Sequence, residues 1–256
     1  MFDAGRMAAA LIEARRAEGS LTWPEVPGSL DEAYAVLDAI VAQSGDTLGG
    51  WKVAMTNPAS LEKMKTHEAA YGQLLGSYIY PDGVRLKTGA DCMRRVECEY
   101  AFRLGRDLPS RTKPYTEAEV ADAVATLHPA IEIAHCRLQG AFDVGAKAII
   151  ADYCGNYAFI YGEGVADWRG LDIQDQPVTL QVDGQTVATG CGREVLGNPL
   201  TSLAFLANKL SARGMGLKAG EFVTTGTTMG MHASPQRCRL VADFGPLGTC
   251  TATLIA

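Results

Sequence analysis

RRVECEYAFRLG, residues 94–105, alternates: Val96, Cys98, Tyr100 and Phe102 interleave with Glu97, Glu99 and Arg103. A period of two means a β-strand with one apolar face, and it puts Glu97 and Glu99 together on the other. Two steps at about 3.3 Å set their backbones roughly 6–7 Å apart. Opposed oxygen ligands of Mg²⁺ stand about 4 Å apart, so the two side chains can lean together around an ion. A dication would relieve the repulsion of two like charges side by side. A solvated strand face is the alternative reading.

A second stretch strengthens the first. In HPAIEIAHCR, residues 128–137, Glu132 lies between Ile131 and Ile133. This predicts another strand with one buried face and a carboxylate on the other. Glu97, Glu99 and Glu132 are hard oxygen donors with no paired Cys, which suits Mg²⁺ or Mn²⁺ over zinc or copper. A solvated edge strand remains the alternative. His135, three residues beyond Glu132, points to the opposite face of a strand and reads as structural. His67, His128 and His232 are scattered, and no GxSxG elbow accompanies them.

The stretches around these two fall into two textures. Up to about residue 75 the chain reads helical. Met7, Leu11 and Ala14 recur at helical spacing before Gly19, and Ser29 with Glu32 forms a capping pair ahead of Ala33, Val36, Leu37 and Ile40. A third helix is expected over 60–66. From 76 onward, short strands are punctuated by Gly, Pro and Asp-Gly. Val178, Leu180 and Val182 run into Asp183-Gly184, a hairpin signal. TSLAFLANKL reads as a helix, and GEFVTTG, RCRLVADFG and GTCTATLIA read as strands. The expectation is an α+β fold: a helical region 1–75 and a β-rich core 76–256, packed as one unit. Helices and strands do not alternate regularly, and there is neither a GxGxxG after a strand nor a P-loop.

Composition narrows the function. The 256 residues include 23 Lys+Arg and 29 Asp+Glu, a net charge of −6. That disfavours nucleic-acid or anionic-membrane partners. No apolar run reaches membrane-span length, and the N-terminus does not read as a signal peptide. Seven cysteines, an odd count without a CxxC pair, suggest buried reduced thiols in a cytoplasmic protein. Lys52, between Trp51 and Val53, could anchor an anionic substrate or snorkel to the surface. The hydroxyls and N–H groups of Thr224-Thr225-Gly226-Thr227-Thr228 could hold a carboxylate, or form a simple turn.

Taken together, GGWKVAM, YGQLL, VECEYAF, HPAIEIAHCR, VLGNPLTSLAFLANKL, LKAGEFVTTGT and VADFGPLGTCTATL resemble the fumarylacetoacetase superfamily. Within it the similarity is to the 2-keto-4-pentenoate hydratase / 2-oxohepta-3-ene-1,7-dioate hydratase / 4-oxalocrotonate decarboxylase group. The resemblance implies a rolled mixed β-sheet core with a helical N-terminal region. It implies a divalent cation, Mg²⁺ or Mn²⁺, on Glu97, Glu99 and Glu132. It implies substrate binding by Lys52, Thr225, Gly226 and Thr227, and by Asp152, although Asp152-Tyr153 departs from the usual Asp-Asn. Hydratases of this group often carry an acid just before the Tyr/Phe-Gly dipeptide, where this chain has Ala69-Ala70 before Tyr71-Gly72. Proton transfer is then expected to fall to Glu68 or His67, alongside Lys52.

The activity implied is hydration of a 2-hydroxy-2,4-dienoate to a 4-hydroxy-2-oxo acid, in aromatic or related ring catabolism. Decarboxylation or C–C hydrolysis of a related 2-oxo acid is the alternative, as is a weakly catalytic paralogue that binds a 2-oxo acid. A homo-oligomer and a candidate partner decarboxylase belong to the same implication. For the distal end of the substrate, Arg94, Arg95 or Arg137 are candidates to meet a second carboxylate. Leu74, Leu75 and Met64 are candidates for an alkyl pocket, and a monocarboxylate is the preferred expectation.

Overall fold

A computed structural model describes residues 2–23 and 25–256. Asp3 caps helix α1 (Ala4–Arg16) by accepting from the Arg6 N–H. Ser29 caps α2 (Leu30–Ser44) in the same way, and Gly45 closes it with φ near +72°. Their apolar faces, Met7, Leu11, Val36, Leu37 and Ile40, are buried together with α5 (Ala146–Ala151). The third helix, α3, runs Pro58–Met64 rather than 60–66. Asn57 is its cap, and Ser60 closes the capping box from inside the helix.

Helical texture does not extend to residue 75. Strands β1 (Leu48–Ala54) and β2 (Ala70–Leu75) lie within that stretch and join the main sheet. The other strands are β3 (Ile79–Pro81), β4 (Val84–Lys87), β5 (Arg95–Leu104), β6 (Val124–Ala134), β7 (Asn156–Tyr161), β8 (Val178–Val182), β9 (Gln185–Gly190), β10 (Phe222–Thr227), β11 (His232–Ala233), β12 (Cys238–Asp243) and β13 (Thr249–Ile255). Helices α4 (Glu117–Ala123) and α6 (Pro199–Ala212) complete the elements. The eight-stranded sheet runs β2-β1-β10-β5-β6-β7-β3, with β11 beside β5. The five-stranded sheet runs β4-β13-β12-β8-β9. Both are mixed, with β1–β10, β3–β7 and β4–β13 parallel.

The alternation in β5 decides what faces what. Val96, Cys98, Tyr100 and Phe102 point into the main core, together with Leu180, Leu240 and Cys250 of the smaller sheet. The Tyr100 ring meets Phe244 edge-on at 5.0 Å. Each such buried side chain contributes about 1.5–3 kcal/mol, which ties β5 firmly between the layers. Its odd-numbered residues are thereby turned to the opposite face. The seven cysteines are free thiols, and all but Cys191 are buried. Among the described residues no helix is long and apolar enough to cross a membrane.

Candidate metal centre and its cavity

Four neighbouring strands, β1, β10, β5 and β6, each bring polar groups to the face that β5 turns away from the core. In the antiparallel β5–β6 ladder Glu97 stands directly opposite Glu132. Glu97, Glu99 and Glu132 each offer an oxygen within 4.8 Å of the others. Glu99 and Glu132 are 1% and 0% exposed, so no solvated face disperses their charge.

The surrounding groups hold the carboxylates in place. Thr224 Oγ1 and the Gly226 N–H (2.9 Å) both donate to Glu99 Oε2. The Gly226 donor reaches it because β10 is irregular between Thr224 and Thr227 and Gly226 has φ near +104°. A Cβ there would also lie 2.4 Å from Thr56 Oγ1, so only glycine fits. Lys52 Nζ pairs with Glu132 Oε1 at 2.8 Å. The same oxygen accepts from Asn156 Nδ2 at 3.0 Å, while Glu132 Oε2 has no partner among the described residues.

The electrostatics favour a cation. Three carboxylates against one ammonium leave two excess negative charges when all are ionised, matching one divalent ion. Burial pushes Glu97 up to about 7, against the pull of Lys52 and with Glu132 adding to the rise. Burial, then Glu132 and Glu97, hold Glu99 well above the carboxylate range. For Lys52, burial works against the charge, but Glu132 and then Cys154, Glu97 and Glu99 outweigh it, and the ammonium is stabilised. Three hard oxygen donors and an orphaned carboxylate oxygen fit a divalent cation.

A cavity opens beside this cluster, lined by Lys52, Glu97, Glu99, Gly226 and Thr227 at one end. Its other walls are mostly apolar, including Met55, Met64, Ala134, Phe142, Ile149 and Met231. Cys154 enters the wall from a left-handed turn in which Tyr153, Cys154 and Gly155 all have positive φ. Gly72, opposite Lys52 in β2, makes room for it, since a Cβ there would lie 2.5 Å from that of Cys154.

Other sequence candidates lie elsewhere. Glu68 is exposed and pairs with Lys209 at 2.6 Å, and His67 is exposed. Neither lines the cavity, because β2 begins only at Ala70. Ala70 itself pairs with cavity-lining Ala54 on the Lys52 face, so the methyl stands where an acid would reach the site. The Thr225 hydroxyl donates to the Tyr100 carbonyl, away from the cavity. Asp152 is fully buried in an ion pair with Arg137 (2.9 Å) and accepts the Arg137 N–H at 2.5 Å. It does not line the cavity.

Behind Glu132, Arg15 of α1 lies between the rings of Tyr78 and Tyr153. It donates to the carbonyls of Asn156 (2.8 Å) and Tyr157 (2.7 Å), and to Asn156 Oδ1 (3.3 Å). Sequence reasoning missed Thr56, Asn156 and the role of Thr224. Asn156 carried a signal, being a lone amide at the head of an apolar strand.

The family described as fumarylacetoacetate (FAA) hydrolase C-terminal matches residues 51–254, and that span contains every element of the cavity described above. The chain belongs to this family. A 2-keto-4-pentenoate hydratase of Burkholderia vietnamiensis is 30% identical over 82% of this chain and 79% of its own length. A 4-oxalocrotonate decarboxylase of a Pseudomonas strain is 29% identical over 71% of this chain and 68% of its own. Among solved structures, 4-oxalocrotonate decarboxylase from Pseudomonas putida G7, complexed with magnesium and adipate, superposes with a TM-score of 0.89. It covers 98% of this chain and 97% of its own at 24% identity, which shows that the FAA hydrolase-like fold extends through α1 and α2.

Proposed function

We propose that this chain is a divalent-cation-dependent hydro-lyase. It adds water to a 2-hydroxy-2,4-dienoate, which ketonises by protonation at C5 to the conjugated 2-oxo-3-enoate and takes up water at C4, to give a 4-hydroxy-2-oxo acid in the breakdown of aromatic or related rings. The observation that carries this reading is the convergence of Glu97, Glu99 and Lys52 at the end of one largely apolar cavity, with Glu132 buried beside them. The names of the curated relatives agree with it.

Glu97, Glu99 and Glu132 would hold the cation, Mg²⁺ or Mn²⁺ by the hardness of the donors, and there it would supply Lewis-acid polarisation of the substrate's 2-oxo-acid end. Lys52 keeps its proton and presents a fixed positive charge to the substrate carboxylate. Gly226 cannot help through its N–H, which Glu99 occupies. Thr56 can. Of the three hydroxyls lining the cavity, Ser60 donates to the Asn57 carbonyl and Thr227 to that of Gly230, whereas the buried Thr56 hydroxyl has no partner among the described residues. The apolar walls limit stray water. With Lys52 held as a fixed cation, the Cys154 thiol, which burial pushes up to about 12, is a proton-bearing side chain on the wall in place to deliver a proton.

Thr56→Val is expected to lower kcat/KM about tenfold or more by removing a hydrogen bond to a charged substrate group, with Mn²⁺ affinity unchanged. Thr56→Ser should restore most of the loss. Steady-state kinetics with a parallel Mn²⁺ titration measures both.

Decarboxylation is a second reading, favoured by Ala70 in the position of an acid. Incubating a 2-hydroxydienoate and its vinylogous keto-diacid counterpart with Mg²⁺, Mn²⁺ or chelator separates the two. A 4-hydroxy-2-oxo acid formed only with the cation supports hydration. CO₂ without hydrated product transfers the assignment to decarboxylation, and full turnover in chelator ends both.

A further inference from the structure

Arg15 and Arg16, the last two residues of α1, line a second cavity with Ser44 and Asp46 around the end of α2 and with Ser77 and Tyr78 after β2. It shares no lining residue with the metal-centre cavity. Arg15 is 6% exposed and makes no ion pair among the described residues. Its amino groups donate to the uncharged carbonyls of Asn156 and Tyr157 and to Asn156 Oδ1, and its Nε has no partner among the described residues. The buried carboxylate of Asp152 is committed to Arg137. Two buried guanidiniums are thus set against one acid, and burial, then Arg137, lower Arg15 to about 10. A buried charge without a counter-ion is costly, and the cavity beside Arg15 is where one can enter.

The rest of the wall suits an anion. Among the described residues Arg16 donates only to the Ser44 carbonyl, so most of its five N–H donors are free. Ser77 gives its N–H to Asp46, and its hydroxyl has no partner among the described residues. Asp46 is the one carboxylate lining the cavity, and it already accepts from the Thr47 and Ser77 N–H groups. The carbonyls of Arg15 and Ser44, at the ends of α1 and α2, are likewise taken, by the Glu18 N–H and by Arg16.

We propose that this cavity is a regulatory anion site, which takes a small oxyanion, phosphate or carboxylate, on Arg15, Arg16 and Ser77 and thereby tightens cation binding at the carboxylate cluster. Guanidinium forks match either oxyanion. The link to the cluster is short. Arg15 holds Asn156 at its carbonyl and its Oδ1, and the Asn156 amide donates to Glu132 at 3.0 Å. An anion on Arg15 cancels the unpaired positive charge behind Glu132, so the acids attract a dication more strongly. By linkage the cation then favours the anion to the same degree.

The test titrates the full chain with inorganic phosphate and with acetate by calorimetry, at constant ionic strength in chloride. Without a divalent ion the excess negative charge of Glu97, Glu99 and Glu132 repels anions from the metal centre, so binding reports the second cavity. One of the two should bind with a Kd of about 1 mM or tighter, and the tighter identifies the oxyanion. Arg16→Gln should weaken it about tenfold or more, the scale of a charge-assisted hydrogen bond, with the melting temperature in chloride unchanged. Arg16→Lys should keep part of the affinity. In a second arm Mn²⁺ is titrated with the free ion read by electron paramagnetic resonance. It should bind about fivefold tighter at saturating anion, and Arg16→Gln should abolish that gain. Binding of neither anion, equal binding by Arg16→Gln, or a Mn²⁺ affinity unmoved by the anion overturns the proposal. The first arm is free of metal and so independent of the hydro-lyase reading. The second rests on the cation reading of the three glutamates, whose own failure shows separately, as no Mn²⁺ binding with or without the anion, and ends the coupling with it.

Discussion

Glu132→Gln is expected to abolish divalent-dependent turnover, by at least about 10²–10³-fold, the scale of losing one group from a preorganised charge-stabilising site. Glutamine keeps the volume and can still accept from Asn156, so the packing of β6 persists. The ionic partner of Lys52 and one anionic ligand are removed together. Circular dichroism and melting should show a folded protein, and Mn²⁺ titration should show a large loss of affinity. Retention of cation-dependent rates within a few-fold would remove Glu132 from the site.

Asp152 is expected to behave in the opposite manner, as a stability residue. Asp152→Ala strips the carboxylate from a guanidinium that is 1% exposed and leaves Arg137 uncompensated close to a second buried cation, Arg15, whose pKa burial and then Arg137 lower to about 10. Breaking a buried pair from one side costs about 3–5 kcal/mol. For a chain of this size that corresponds to a Tm about 10 °C lower or more. Replacing both partners with apolar residues of similar bulk should recover part of the loss, since the cost lies in the orphaned charge. A melting series on the two variants decides it. An unshifted Tm with a raised KM would instead return Asp152 to substrate binding.

The two strands that carry the acids were legible because, although both faces are buried, one is apolar and the other carries the carboxylates, so β5 and β6 keep in sequence the period of two that placed Glu97, Glu99 and Glu132 together. Strands β1 and β2 were not. Ala70–Leu75 is buried at every position and Trp51–Val53 likewise, and a covered strand whose two faces do not differ in polarity loses its alternation. Lying between helices, these runs took on the helical texture of their surroundings. That error carried into the site, because Glu68 and His67 read as neighbours of the Tyr-Gly dipeptide but stand before the strand begins. Thr224 and Asn156 hold the acids from other strands, a relation fixed by sheet order and invisible to local spacing. The hairpin at Asp183-Gly184 was legible because its turn chemistry is local.

The matched family segment starts at Trp51, yet Arg15 of α1 reaches the strand that bears Asn156, and Asn156 steadies Glu132. The leading helices are thus wired to the reaction centre through one guanidinium and one amide. Trimming the chain to its family-matched portion would unbrace the carboxylate cluster from behind, without deleting any of the residues proposed to hold the ion.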